Sequence, residues 1–293
     1  PTVVLAELAG AEPGALAEAT AVFGALSLAV IVAVVAFRYL GRSLKETAPA
    51  LLVASALALL APLTRMYSAA VVGFLGLVTG LLLASGSRAA LSALRALRYY
   101  LALIAMLFAA NLAGFGGLRY TFIVILAAAL LSQALERRLG REALRRSVKM
   151  TVRSIIAVTL FAAVAELVKR GGYMRSLALL LASSTGRLYA LFVPIVGALG
   201  AYATGSATTS NLIFAVLQRS YADAVGLSSA ALLALQNVGG GLGGMVSPAK
   251  ISVAASTTAG RELERPLFRE GWRALSLVIL PQVLLAAALL VAG

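Results

Sequence analysis

The stretch YATGSATTSNLIFAVLQ, Tyr202 to Gln218, decides how this chain folds. Six of the eight residues from Thr204 to Asn211 carry a side-chain hydroxyl or amide, yet the run LYALFVPIVGALGAYA leads into them and LIFAVL follows. Between Arg187 and Arg219 lie about 32 residues, or ~48 Å of helix at 1.5 Å per residue. That is too long for one ~30 Å hydrocarbon crossing and too short for two crossings and a turn. The segment must therefore turn back on itself. The predicted form is a re-entrant hairpin: a half-helix to about Ala203, a non-helical tip at Thr204 to Ser210, and a second half-helix returning to Arg219. Non-helical backbone at membrane depth is tolerated only where protein or a water-filled cavity satisfies it.

Composition supports a membrane setting. Of 293 residues, 61% are hydrophobic and 12% charged, and the mean hydropathy is +0.97, against about a quarter charged residues in soluble domains. Apolar windows of near-spanning length recur at Thr20 to Phe37, Ala48 to Leu63, Met66 to Ala84, Tyr99 to Gly114, Thr121 to Leu135, Thr151 to Val168 and Trp272 to Ala292. These predict an all-α polytopic protein of the cell membrane with about eight transmembrane spans, plus the re-entrant hairpin and a broken helix. Cysteine and histidine are both absent, which removes thiol nucleophiles, disulfides, His-ligated metals and imidazole acid/base chemistry. No cofactor and no metal is expected.

The net charge of +14 would suggest nucleic acid in a soluble chain, but the arginines and lysines cluster between apolar segments. Such clusters are the mark of cytoplasmic loops, with lipid headgroups a second reading and nucleic acid not expected. Basic groups at Arg38, Arg42 and Lys45, at Arg88, Arg95 and Arg98, and from Arg137 to Arg153 alternate with sparsely charged connections. They place the N-terminal segment, with Glu7, Glu12 and Glu18, outside. Gly76 and Gly80 form a GxxxG pair that would let two helices approach closely. Residues 1–146 read as scaffold helices and 147–293 as a transport-type half, comprising the hairpin (about 187–222), a broken helix (about 226–260) and a final span (272–292). The basic stretch RELERPLFREGWR, Arg261 to Arg273, is cytoplasmic by charge and is expected to form an interfacial helix before the last span.

The broken helix is read from GGGLGGMVSP. Five of the six residues from Gly239 to Gly244 are glycine and Pro248 follows, a composition that predicts an unwound span. Ser210 or Asn211 is then placed to cap the returning half-helix, and Ser247 the next one, with Pro248 in its first turn. Two helix N-termini meeting in a low-dielectric cavity make a site for an anion, because each presents unpaired N–H groups and a partial positive charge. Lys250 is the only ionisable side chain between Asp223 and Arg261, and a cation inside a membrane is by default functional. The candidate substrate-binding residues are Gly205, Ser206, Thr208, Thr209, Ser210, Asn211, Ser247, Pro248 and Lys250. The bland alternatives are hydroxyls bonded back to their own helix, a lysine snorkelling to the interface, and Gln236 and Asn237 serving as glue between helices. Glu166, beside Lys169 and Arg170, reads as interfacial.

TGSATTSN followed by FAVLQ, then the glycine run leading into MVSPAKISVA, resembles the C-terminal part of the L-lactate permease family, carriers for lactate and glycolate. The resemblance extends upstream through RSVKMTVRSIIAVTLFAAVAELVKRGGY, so it is strong from about Ser147 to Gly293. It implies a secondary transporter of small hydroxymonocarboxylates, typically proton-coupled, and a kinship with organic-anion carriers built from two inverted repeats. Each repeat gives a hairpin and a broken helix to one central site. On that view Ser206, Thr208, Ser210 and Asn211 belong to the hairpin tip, and Ser247, Pro248 and Lys250 to the broken helix. Family members are considerably longer, and their first hairpin and broken helix have no counterpart in the first 140 residues. The chain also opens on Pro1, and it is therefore expected to be a fragment lacking an N-terminal half of the same carrier.

The expected partners are a small carboxylate, a proton or sodium ion, and the lipid bilayer, with a homodimer left open. A sodium-coupled di- or tricarboxylate transporter is the alternative within the class, although a dicarboxylate calls for a second cation beyond Lys250. An intramembrane enzyme or a structural membrane subunit are the alternatives outside it. The first lacks a visible nucleophile and base set, since Asp223 is the only aspartate, and the second leaves two polar breaks unexplained. The loop charges yield a topological prediction: a reporter fused after Arg146 is cytoplasmic and one placed between Lys169 and Arg175 is external. Labelling with an impermeant reagent checks it, and reversed accessibility overturns it.

Overall fold

A computed structural model describes residues 12–34, 118–135, 170–258 and 261–292, with isolated positions elsewhere. The windows at Ala48 to Leu63 and Met66 to Ala84, the Gly76/Gly80 pair and most of the basic loops lie outside the described residues, as does half of Tyr99 to Gly114 and half of Thr151 to Val168. The chain falls into two compact units, Pro1–Val35 with Val158–Gly293, and Ala36–Ala157. Within the second unit, α2 (Leu118–Leu135) is apolar along its length and keeps Ile123, Leu126 and Leu130 more than half exposed.

The first unit begins with α1 (Pro13–Val34), a helix of 22 residues. A helical segment then runs from Tyr173 to Thr204 in three pieces: α3 (Tyr173–Thr185), a 3-10 stretch (Gly186–Phe192) and α4 (Val193–Thr204). Gly186, at φ 55°, permits the change of direction between the first two. The half-helix expected to start at Arg187 is therefore the last part of a longer segment. Next come α5 (Ala207–Val225), α6 (Ser229–Met245), α7 (Pro248–Thr258), a 3-10 turn (Arg261–Leu263) and α8 (Glu264–Ala292). No strand occurs among the described residues. Three described segments, Gly14–Ile31, Tyr173–Thr204 and Glu264–Val291, are long and apolar enough to cross a membrane. Their outer faces carry exposed leucines such as Leu180, Leu280 and Leu284, which a chain in water would bury.

The last span, expected from Trp272, begins earlier. Glu264 to Arg273 continues directly into the last span as one helix of 29 residues, with Pro281 inside it. Nothing between Arg273 and Ala274 breaks helix, so propagation continues at little cost. Beside that proline, Gln282 is fully buried and its Nε2 donates to the Phe23 carbonyl and to Ser27 Oγ, both at 2.8 Å. The amide ties α8 to α1.

The centre of the unit is α6, which packs against α1, α4, α5 and α8. Leu232, Leu233 and Leu235 are all fully buried, as expected of a helix surrounded on every side. Its glycine run is helical, which corrects the expectation of an unwound span. A Cβ at Gly239 would fall on the Pro194 carbonyl and one at Gly243 on the Ala198 carbonyl, while a Cβ at Gly197 would fall on the carbonyl of Gln236. The glycines thus serve close approach: α4 and α6 lie backbone against backbone, and the packing outweighs the ~1 kcal/mol helix penalty of each glycine.

Gly241 faces open space, with no neighbouring atom within 4 Å of the point a methyl group would occupy. Gly239→Ala and Gly243→Ala are therefore expected to destabilise the fold by about 1–3 kcal/mol each through overpacking, and Gly241→Ala to leave stability unchanged or raise it by up to about 1 kcal/mol. Unfolding of the three variants in detergent, followed by circular dichroism, checks the contrast.

Candidate functional site at two helix breaks

The first break is short. Helix α4 ends at Thr204, Gly205 takes the left-handed conformation (φ 73°), Ser206 is extended, and α5 begins at Ala207. Only Gly205 and Ser206 are non-helical, so the expected tip from Thr204 to Ser210 contracts to two residues. The cap is Ser206, whose Oγ accepts from the Thr209 N–H at 3.2 Å. Ser210 and Asn211, the caps expected from sequence, lie within the helix because a left-handed glycine followed by one extended residue already reverses the chain. Thr204 Oγ1 donates to the Gly200 carbonyl at 2.8 Å and accepts from the Ser206 N–H at 3.3 Å, closing the turn locally.

At the second break, α6 ends at Met245, and the Val246 and Ser247 N–H groups bond to the Gly243 and Gly244 carbonyls at 3.2 and 3.5 Å. Helix α7 begins with Pro248, and the Ile251 N–H donates to the Ser247 carbonyl at 3.0 Å. Proline suits this first helical position because its missing N–H would have no helical partner there. Ser247 is fully buried, and its hydroxyl has no hydrogen-bond partner among the described residues.

The two breaks meet. A side chain added at Gly205 would stand 3.8 Å from Ser247 Oγ and 3.9 Å from Ala249 Cβ. One added at Gly244 would stand 3.3 Å from Lys250 Nζ and 3.9 Å from the backbone nitrogen of Ala207. The first turns of α5 and α7 and the lysine ammonium therefore face one small space, kept open by two glycines. Lys250 is exposed, and no carboxylate pairs with it among the described residues. Thr208 is half-buried and makes no side-chain hydrogen bond among the described residues. This is a concentration of positive potential beside unengaged hydroxyls, suited to a small anion that carries a hydroxyl.

Behind the breaks the remaining polar residues are engaged with one another. Ser210 Oγ donates to the Gly197 carbonyl at 2.9 Å, and Gln236 Nε2 donates to Ser210 Oγ at 3.2 Å. Gln218 Nε2 lies 3.1 Å from Gln236 Oε1 and 3.2 Å from the Tyr189 hydroxyl. Asn211 Nδ2 donates to Asn237 Oδ1 at 2.8 Å. Ser210, Asn211, Gln218 and Gln236 are all fully buried. Gln236 and Asn237 thus join helices. At the far end, the Tyr221 hydroxyl donates to the Gly186 carbonyl at 2.7 Å, and Arg187 Nε donates to the Val225 carbonyl at 3.2 Å, where it caps the C-terminus of α5.

The proposed binding residues thus divide. Gly205, Ser206, Thr208, Ser247, Pro248 and Lys250 cluster at the breaks, whereas Thr209, Ser210 and Asn211 are buried, the last two in the packing network. Sequence reasoning did not single out Gly244, Tyr189 or Gln218. The signal for Gln218 was its spacing: seven residues beyond Asn211, it shares that residue's helix face.

Helical segments of spanning length and two converging breaks define the class, a polytopic helical membrane protein with an internal polar site. A family model described as L-lactate permease matches residues 104–291, and the chain belongs to that family. It is 37% identical over 115 residues to the L-lactate permease of Escherichia coli (strain K12), a match covering 39% of this chain and 21% of the relative. The glycolate permease of the same strain is 39% identical over 117 residues, covering 39% and 20%. The L-lactate permease of Bacillus subtilis (strain 168) is 35% identical over 124 residues, covering 42% and 21%. The matched stretch thus spans about a fifth of each of these relatives. No solved structure matches the chain.

Gln236→Leu removes the amide that links Gln218 to Ser210. It is expected to destabilise the fold by about 1–3 kcal/mol, the penalty for buried polar groups left without partners. The Gln236→Leu/Gln218→Leu double variant is expected to cost less than the sum of the two single changes, a coupling that a double-mutant unfolding cycle measures.

Proposed function

We propose that this chain is part of a longer secondary carrier for small hydroxymonocarboxylates such as lactate or glycolate, driven by a proton gradient. The observation that carries this reading is the meeting of two helix N-termini and Lys250 over Gly244. The names of the relatives, lactate and glycolate permeases, agree with a small anion bearing a hydroxyl. In this reading α4 and α5 form a re-entrant hairpin, α6 and α7 form a broken helix, and the space between the breaks opens toward the membrane face on which α8 begins. A second, inverted half with its own hairpin and broken helix supplies the other wall of the site, and this chain crosses the membrane about eight times.

Lys250 and the first-turn N–H groups of α5 and α7 hold the carboxylate. Because α5 starts at Ala207, its donors are Ala207 and Thr208. Thr208 or Ser206 reads the substrate hydroxyl, and the unpartnered Ser247 hydroxyl faces the same space. Gly205 and Gly244 act by absence, since a methyl group at either would narrow the cleft.

A hydrogen bond to a charged group contributes about 1.5–3 kcal/mol and one between neutral groups about 0.5–1.5. In vesicles containing the full-length carrier, Lys250→Ala is accordingly expected to weaken lactate binding roughly ten- to hundredfold. Thr208→Val should weaken it by about tenfold or less, with both proteins still inserted. Uptake of labelled lactate, driven by an imposed pH gradient, measures both effects. Normal uptake by Lys250→Ala together with failure of Thr208→Val would leave the lysine a bystander, and uptake indifferent to the gradient would remove the proton.

A further inference from the structure

The arginine-rich start of α8 forms a second polar feature, separate from the helix breaks. The helix has 29 residues, about 43 Å at 1.5 Å per residue, against a hydrocarbon core of ~30 Å. Once the apolar run from Ala274 fills the core, its first turns are left over at the depth of the lipid headgroups. Arg265, Arg269 and Arg273 recur there at every fourth residue and so share one face. Together with Pro266, Phe268 and Trp272 they line a cleft of about 770 Å³. All three arginines are exposed. Arg273 pairs with Glu270 at 2.6 Å, whereas Arg265 and Arg269 make no ion pair among the described residues.

The floor of the cleft is aromatic. Trp272 meets Tyr202 edge-on at 5.1 Å between ring centroids, and Phe268 lies 6.2 Å from Trp272 and 6.3 Å from Tyr202. A free hydrated anion would gain from the arginines and nothing from such a floor. A phosphodiester with acyl chains attached uses both: guanidinium forks match phosphate oxygens, and the rings accept the glycerol and upper acyl carbons at the level where tryptophan and tyrosine concentrate in membrane proteins. We propose that this cleft binds the phosphate headgroup of an anionic membrane lipid.

The site adjoins the transport machinery. Tyr202 lies two residues before the end of α4, and a Cβ at Gly271 would stand 3.0 Å from Val246 Cγ1, at the second break. A lipid seated on Trp272 therefore braces both breaks from one side. The inference rests on the membrane setting and not on the identity of the transported anion.

Trp272 is the only tryptophan in the chain, so its fluorescence reports on this cleft alone. The full chain, reconstituted in phosphatidylcholine vesicles, is titrated with brominated phosphatidylglycerol or brominated phosphatidylcholine, whose bromines quench tryptophan on contact. Quenching is expected at a several-fold lower mole fraction of the anionic lipid. That preference should fall on the order of fivefold for each arginine removed, in Arg269→Gln and in the Arg265→Gln/Arg269→Gln double variant. Circular dichroism shows whether each variant keeps its helices, and the single variant carries the test if the double variant does not fold. Equal quenching by the two lipids, or an undiminished preference in a folded Arg269→Gln protein, overturns the proposal. Relief of quenching by inorganic phosphate also overturns it and assigns the cleft to a soluble anion.

Discussion

The carbonyls of Pro194 and Ala198 come so close to Gly239 and Gly243 that no methyl group fits between them. Much of the described site follows from that contact. Lipid supplies no hydrophobic force to press helices together, so association depends on close packing and on polar bonds between helices. Backbone-to-backbone approach of α4 and α6 provides the first and makes the second possible. With the axes this near, Ser210 reaches the Gly197 carbonyl while Gln236 reaches Ser210, and the two helix breaks, each just beyond one end of this contact, face each other.

The buried amides and hydroxyls behind the breaks are costly groups to remove from water, and nearly all are bonded. Their arrangement separates two tasks that the sequence presents as one polar run. Residues pointing toward α6 fix the register of the helices, and residues at the very start of α5 remain free. The bonded network behind the breaks holds the open donors in place. Gln218 Oε1 and Asn211 Oδ1, both buried and without partners among the described residues, mark where the network is incomplete.

Positive charge is distributed along the chain in two ways. At the breaks it comes from helix ends and a single exposed lysine, small in amount and gathered at one place. At the start of α8 it comes from three arginines on one face over an aromatic floor, in a place that headgroups and water share. The same +14 excess thus contributes both to the junction of the helix breaks and to the arginine face of α8.

Much was legible before any coordinates. Hydropathy and length identified a helical membrane protein, the count from Arg187 to Arg219 demanded a turn, and Ser-Pro after a glycine run announced a new helix start at Pro248. These are local properties: spanning length, cap chemistry and the fixed φ of proline act within a few residues. What failed locally was the glycine run, whose propensity argues against helix and which is helical because α4 lies against it. Likewise Ser210 and Asn211 carry the same hydroxyl and amide whether they cap, bind or glue, and only the helix facing them decides which. Tertiary structure alone brought Gly244, with Lys250 beside it, against the start of α5 at Ala207, because an approach between residues 37 positions apart depends on how two helices pack, and no local preference encodes it.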